Sequence, residues 1–289
     1  MYSLKKTLLI LLASCFFSGY AQVNSNTNSG CAAVMPANYF KLRNSVASTQ
    51  NMVSTLKHDL CINKKFSIVF YIIADSLGNP GVTQANLDTC ISILNRTFRR
   101  ICVSFMNCST VVIPHHPFNR WSKDTIDPVV TKNWYAENTI NFYVPATILG
   151  EAAGYAYFPG GRDVIVVEKA SVTSTAVPIH EMGHFFGLPH TFAEITTTNA
   201  ATPSAELVAR TNCYTNGDGF CDTEADCYPF NHVASAPCEH QAGAQDSNSE
   251  YYTPPLDNFM TYFKCRCRFT QEQYNFMANI ILTARSYLH

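Results

Sequence analysis

One stretch constrains this chain more than any other: His180-Glu181-Met182-Gly183-His184-Phe185-Phe186-Gly187-Leu188-Pro189-His190. Histidines four apart lie on one face of a helix, about 40° apart around its axis. Pro178 suits the first helical turn, where its missing N–H is not needed. Gly187 can take a left-handed conformation and end the helix. The chain can then turn and bring His190 back. Any fold of this sequence must therefore supply a short helix, a sharp stop and a returning segment. Three imidazoles so gathered can hold one Zn²⁺, and three protein ligands leave a fourth position for water, as in catalytic rather than structural sites. Glu181 can take a proton from that water as it attacks a carbonyl, then deliver it to a leaving amine. With 9 histidines in 289 residues, composition alone predicts roughly 0.01 copies of His-Glu-x-x-His. His58, His115, His116 and His232 carry no such spacing and read as surface or core groups.

The balance of charge is −1, which argues against a nucleic-acid partner, since phosphates need a basic face. Apolar residues make up 47%, too many for a disordered chain. Twelve cysteines read as disulfides of an exported protein. Lys5 and Lys6 precede an apolar run over Thr7–Phe17, and Ser18-Gly19-Tyr20-Ala21 offers a cleavage site. We expect a signal peptide over residues 1–21 and a secreted, extracellular product with no membrane span. Leu12-Ala13-Ser14-Cys15 gives a rival reading, a lipid anchor at Cys15. Phe16 and Phe17 continue the apolar run past it and favour simple secretion.

Along the chain, Ala37 to Leu60 reads as a helix. Phe66 to Ala74 is β-branched and aromatic, hence a buried strand. Thr83 can cap a helix with apolar positions Leu87, Ile91, Leu94, Phe98 and Ile101. Val103–Phe105, Val111–Ile113, Ile140–Val144 and Val164–Val167 are short strand candidates, and Gly154 to Gly161 reads as a loop. The first part thus alternates strand and helix. From Thr191 to Pro255 little is periodic. Thr270 opens a last helix, with Gln273 as capping-box partner.

His180 to His190 resembles the extended zinc motif of the metzincin metallopeptidases. Asp257-Asn258-Phe259-Met260-Thr261-Tyr262 resembles their Met-turn as it appears in the pappalysin branch. Gly154 to Gly161 and Phe269-Thr270 with Gln273 are similar to cytophagalysin/pappalysin-type enzymes of secreting bacteria. The resemblance spans about residues 62–288. It implies an α+β fold of metzincin type: a twisted mixed sheet with two helices in the upper part, and an irregular lower part with a C-terminal helix. It implies a secreted zinc endopeptidase acting on proteins or peptides through a Glu181-activated water. Met260 would floor the zinc site and Tyr262 would supply a phenol to the reacting centre. The alternatives are an inactive homologue that keeps zinc as a binding module, and a metzincin of another branch. An extended substrate could add a strand beside Val164–Val167. Lys264, Arg266 and Arg268 follow the Met-turn with no carboxylate among them, so no strong preference for basic substrate residues is expected there.

Asn216 to Thr223 mixes carboxylates, glycines and carbonyls, as hard Ca²⁺ requires. Relatives that bind calcium in a similar segment point to Asp218 and Thr223 as ligands, with Asp222 a further candidate. Cys213, Cys221, Cys227 and Cys238, with Cys265 and Cys267, should staple this half. Spacing does not fix the pairing; Cys213–Cys238 and Cys265 with Cys221 or Cys227 are expected. Residues 22–61 read as a short pro-segment and 62–289 as the catalytic domain. Loss of Cys15 leaves an odd number of cysteines, hence an unpaired thiol or an intermolecular bridge. Cys31 is the candidate for a zinc-blocking thiolate that keeps a zymogen latent. Its neighbours Gly30 and Ala32 depart from the Arg and Gly that flank such a cysteine in similar proteins. A Cys31–Cys61 disulfide is the competing reading.

Overall fold

The computed structural model describes residues 30–31, 60–150, 152–194, 204–227, 239 and 243–289. The strands are β1 (Gly30–Cys31), β2 (Lys64–Ile73), β3 (Val103–Ile113), β4 (Arg120–Trp121), β5 (Ile140–Val144), β6 (Thr147–Ile148), β7 (Ala152–Ala156) and β8 (Val164–Val167). The helices are α1 (Gln84–Phe98), α2 (Asp127–Asn133), α3 (Val177–Phe185) and α4 (Gln271–Leu282). The helix read over Ala37 to Leu60 and the signal peptide lie outside the described residues, apart from Leu60.

Six strands form one mixed sheet in the order β1-β7-β8-β5-β2-β3. All neighbours are parallel except β7 and β8. The run from Ile68 to Ile73 is apolar throughout because both faces of β2 are covered. Phe66, Ile68, Phe70 and Ile72 pack with Leu87 and Leu94 of α1 and Ile179 and Met182 of α3. Val69, Tyr71 and Ile73 turn to the other face, with Trp121, Val130 and Tyr143. A parallel pair needs a crossover, which α1 supplies between β2 and β3. As expected, Thr83 caps α1, and Asn86 completes a capping box with it.

Three strand readings need correction. Val103–Phe105 and Val111–Ile113 are one strand, paired with β2 along its length. Its exposed middle hides the pattern, because a sheet edge admits polar residues where an interior strand does not. Gly154 to Ala156 are strand, not loop; their small residues carry little β propensity, and the ladder to β8 holds them. Val164–Val167 is therefore interior, between β5 and β7, and cannot accept an added strand. The site-side strand next to it is β7, whose outer side pairs in parallel with Gly30–Cys31.

Cys61 bonds Cys102, tying the start of β2 to the start of β3. This overturns the Cys31–Cys61 reading. The sequence missed the true pair because the two residues, 41 apart in the chain, are joined only by strand pairing. Below the sheet, no helix or strand of the eight-strand, four-helix set falls between Thr191 and Pro255 among the described residues. No helix among the described residues is long and apolar enough to cross a membrane.

Candidate metal centre

The helix carrying the motif is short and almost wholly buried. Pro178 lies in its first turn. Gly187 ends it with φ +89°, and a Cβ there would meet Phe276 at 3.1 Å. The Leu188 amide donates to the Gly183 carbonyl (2.9 Å) and the Gly187 amide to the His184 carbonyl (2.8 Å), the paired bonds of a left-handed helix stop. The same turn aims the Leu188 carbonyl at His184 Nδ1, 2.7 Å away. His180 Nδ1 is held by the Phe259 carbonyl at 2.6 Å. With both Nδ1 atoms so engaged, both Nε2 atoms turn inward. His184 Nε2 lies 3.1 Å from His180 Nε2 and 3.1 Å from His190 Nε2.

Burial holds all three imidazoles well below their ordinary pKa, with His184 down to about 3. Arg266 adds to the effect on His180 and His190. Neutral imidazoles whose second nitrogens are tied to carbonyls are the donor set that zinc takes, so the residues fit that metal. Glu181 is buried on the same helix. A Cβ on Gly154 would sit 2.9 Å from Glu181 Oε1, so β7 passes directly against the carboxylate.

Beneath the histidines lies the segment around Met260. Met260 is fully buried, and its sulfur stands 2.6 Å from where a Gly183 Cβ would be. The turn is anchored from both sides. The Met260 amide donates to Asn258 Oδ1 (2.9 Å), and Asn258 Nδ2 donates to Gln273 Oε1 (3.0 Å). Gln273 is also the capping-box partner of Thr270, so the last helix sets the height of the Met-turn. Tyr262 packs its ring 4.8 Å from His190 and 4.9 Å from Phe192. The structure thus brings His180, Glu181, His184, His190, Met260 and Tyr262 together.

Residues 124–282, more than half of the chain, match the model of the M43 peptidase family described as pregnancy-associated plasma protein-A. The chain belongs to this family. It is similar to the extracellular metalloprotease of Verticillium alfalfae, 24% identical over 214 residues that cover 66% of this chain and 72% of that one. An extracellular metalloprotease of Colletotrichum graminicola is 25% identical over 224 residues, 70% of each chain. The fold is similar to that of a mutant Tannerella forsythia promirolysin, with TM-score 0.57 and 15% identity over 89% of this chain and 96% of that one. Mirolysin follows with TM-score 0.54 and 17% identity over 78% and 96%. As a member of the M43 family the protein is a zinc metalloendopeptidase, and its mixed sheet with a C-terminal helix is the expected α+β architecture.

The lower part of this M43 peptidase holds a second group of acidic residues. Asp218 is fully buried and its Oδ1 accepts from the Phe220 amide at 3.0 Å. Thr223 is buried. Asp222 is half-buried, and its Oδ2 accepts from the Glu272 amide (2.8 Å) in the first turn of α4. Three more carboxylates converge that no sequence motif flags: Glu194, Glu206 and Asp226, all buried. Burial, together with Asp218, Glu194 and Asp226, pushes the Glu206 carboxyl up to about 9. Neither Glu206 Oε1 nor Thr223 Oγ1 has a hydrogen-bond partner among the described residues. Asp226 accepts from Thr191 Oγ1 at 2.7 Å, which links this group to the residue after His190.

The cysteines of this part depart from expectation. Cys213 bonds Cys221, eight residues on, and therefore not Cys238. Cys221 is thus unavailable to Cys265. Cys227 is a buried thiol pushed up to about 12 by burial. Cys265 is disulfide-bonded, but to neither expected partner. Cys267 is an exposed thiol and staples nothing. The turn over 213–221 closes on itself locally, a possibility that cysteine counting does not rank. Cys238 lies outside the described residues.

Proposed function

We propose that the protein is a secreted endopeptidase in which His180, His184 and His190 hold the zinc and Glu181 is the general base. Bound there, zinc would polarise a substrate carbonyl and lower the pKa of a water in its open position. Glu181 takes a proton from the attacking water at its carboxylate and returns it to the leaving nitrogen. Tyr262, whose ring packs on His190, donates its phenol O–H toward the oxygen that gains charge. Met260 and Phe259 position the histidines. The observation that carries this reading is the inward convergence of three Nε2 atoms beside a buried Glu181. Glu181→Ala should retain zinc and lose casein hydrolysis. Cleavage by that variant at the wild-type rate would remove the mechanism.

We also propose a structural calcium ion near Asp218 and Thr223, with Glu206 as a ligand the sequence did not flag and Asp222 at the rim. Support comes from the buried carboxylates of Asp218, Glu194 and Asp226 gathered around Glu206, which together with burial push its carboxyl up. Calcium chelation, with zinc restored, should lower the melting temperature; an unchanged melt would remove this ion.

Latency through Cys31 is the third part. The backbone register supports it: Cys31 pairs opposite Gly154, the residue against Glu181. Cys61 is taken by Cys102 and does not compete. The β1 backbone also lies where an extended substrate would add to β7. Cys31→Ala should yield a precursor active from the start. A variant that stays latent, or a disulfide at Cys31 found by mass spectrometry, would overturn the switch.

A further inference from the structure

The histidines of the motif are oriented by different means. His184 is aimed from within its own helix stop, where the Leu188 carbonyl, four residues on, accepts from its Nδ1. For His180 the accepting carbonyl belongs to Phe259, 79 residues away. A carbonyl only accepts, so each bond places the ring proton on Nδ1 and leaves the Nε2 lone pair for a metal. The next carbonyl of the same segment, that of Met260, accepts at 3.2 Å from the amide of Thr191, the residue after His190. Two consecutive carbonyls of the Met-turn thus hold one histidine and the backbone beside another.

The Phe259 carbonyl and the Met260 N–H are the two ends of one planar peptide unit, so holding the second aims the first. That N–H donates to Asn258 Oδ1 at 2.9 Å. Asn258 is held in turn from α4: its Nδ2 donates to Gln273 Oε1 at 3.0 Å, and Gln273 Nε2 returns toward Asn258 Oδ1 at 3.4 Å. The Thr270 amide also donates to Gln273 Oε1 at 3.0 Å. A backbone N–H at each end therefore fixes which way round the two side-chain amides lie. Both side chains are fully buried, so removing one leaves polar atoms of the other unpaired away from water. We infer that Asn258 and Gln273 are positioning residues for the metal: the paired amides set the aim of His180, and how tightly zinc is kept depends on the seating of α4. This role rests on the zinc-site reading above and adds to it two residues that touch neither metal nor substrate.

Zinc affinity of the whole chain, measured by competition with a chelating indicator, tests this role. Gln273→Met keeps the length of the side chain and removes its amide. It should weaken zinc binding by about tenfold or more, as loss of the partners behind a ligating histidine does. Thr270→Ala removes the hydroxyl cap of α4 and leaves both amides in place. It should lower the melting temperature and keep the wild-type zinc affinity. Asn258→Ala combined with Gln273→Met should weaken zinc no further than Asn258→Ala alone, since the two act as one unit. Hydrogen exchange of the wild type asks the same question without a variant. Coupling is reciprocal, so zinc loading should slow exchange at the Met260 and Gln273 amides at least about threefold more than at Asn86, the matching position in the capping box of α1. Wild-type affinity in Gln273→Met, an equal loss in Thr270→Ala, additive losses in the double variant, or equal slowing at all three amides overturns the role of the amide pair while the zinc site stands. A wild type that takes up no zinc overturns the zinc-site reading, and this role with it.

Discussion

The sulfur of Met260 stands 2.6 Å from the point where a Cβ on Gly183 would lie. Gly183 directly precedes His184, the second helical histidine, so the helix meets the Met-turn through bare backbone. Filling that space should cost about 1–3 kcal/mol, as overpacking of a full core does. Gly183→Ala should therefore unfold at lower denaturant and bind zinc more weakly. A variant with wild-type midpoint and zinc affinity would show that the sulfur moves aside freely.

Gly154 and Glu181 stand in a similar relationship, 2.9 Å from a Cβ position to Oε1 and Cγ alike. Here the Val166 carbonyl, 3.0 Å from the same point, blocks retreat on the other side. Gly154→Ala should displace the carboxylate and lower kcat by at least about tenfold, since small misplacements of a reacting group are costly. Zinc content should stay stoichiometric. Steady-state kinetics with metal analysis on one preparation makes the check.

Arg285 is fully buried, ion-paired with Asp163, and stacked over the Phe185 ring at 3.9 Å. Its Nη2 also donates to the Tyr157 carbonyl at 2.9 Å. It thereby ties the chain's end to the loop before β8 and to the C-terminal end of the zinc-binding helix. Arg285→Ala leaves Asp163 buried without its cation and should destabilise by about 3–5 kcal/mol. Urea unfolding would measure it, and a loss below about 1 kcal/mol would mean that water reaches Asp163.

The disulfides Cys61–Cys102 and Cys213–Cys221 close loops of different size, their cysteines 41 and 8 residues apart in sequence. The loop-entropy model gives about 4 kcal/mol for Cys61–Cys102 and about 2.6 for Cys213–Cys221. Paired Cys→Ser variants should lose stability in that order. The reverse order would place local strain or ion binding, rather than chain entropy, in control.

Cys90 is buried in the core and its thiol is pushed up to about 12 by burial, whereas Cys108 and Cys267 are exposed. The thiolate is the nucleophile, so at about pH 8 iodoacetamide should label Cys108 and Cys267 in the native protein and spare Cys90 until it unfolds. Peptide mapping reads the outcome directly; labelling of Cys90 at the same rate would mean that the core opens on that timescale.

Features set by neighbours in the chain were legible in the sequence. The spacing of His180 and His184, the stop at Gly187, the cap at Thr83, the capping box at Thr270 and the apolar run of β2 each depend on a few consecutive residues. Local backbone preference and helical period decide them. The tertiary structure alone decided what depends on distant residues meeting. Gly154 to Ala156 became a strand because β8 offers a ladder, and β8 became interior for the same reason. Cys61 found Cys102 through strand pairing. Glu194, Glu206 and Asp226 carry no periodic or motif signal, and only the irregular lower part gathers them. A cleft lined by Arg96, Arg99 and Arg266 among others joins the end of α1 to the segment after the Met-turn, more than 160 residues later. Pairing across such separations is fixed by the packing of the whole sheet and its helices, and no local window of sequence encodes it.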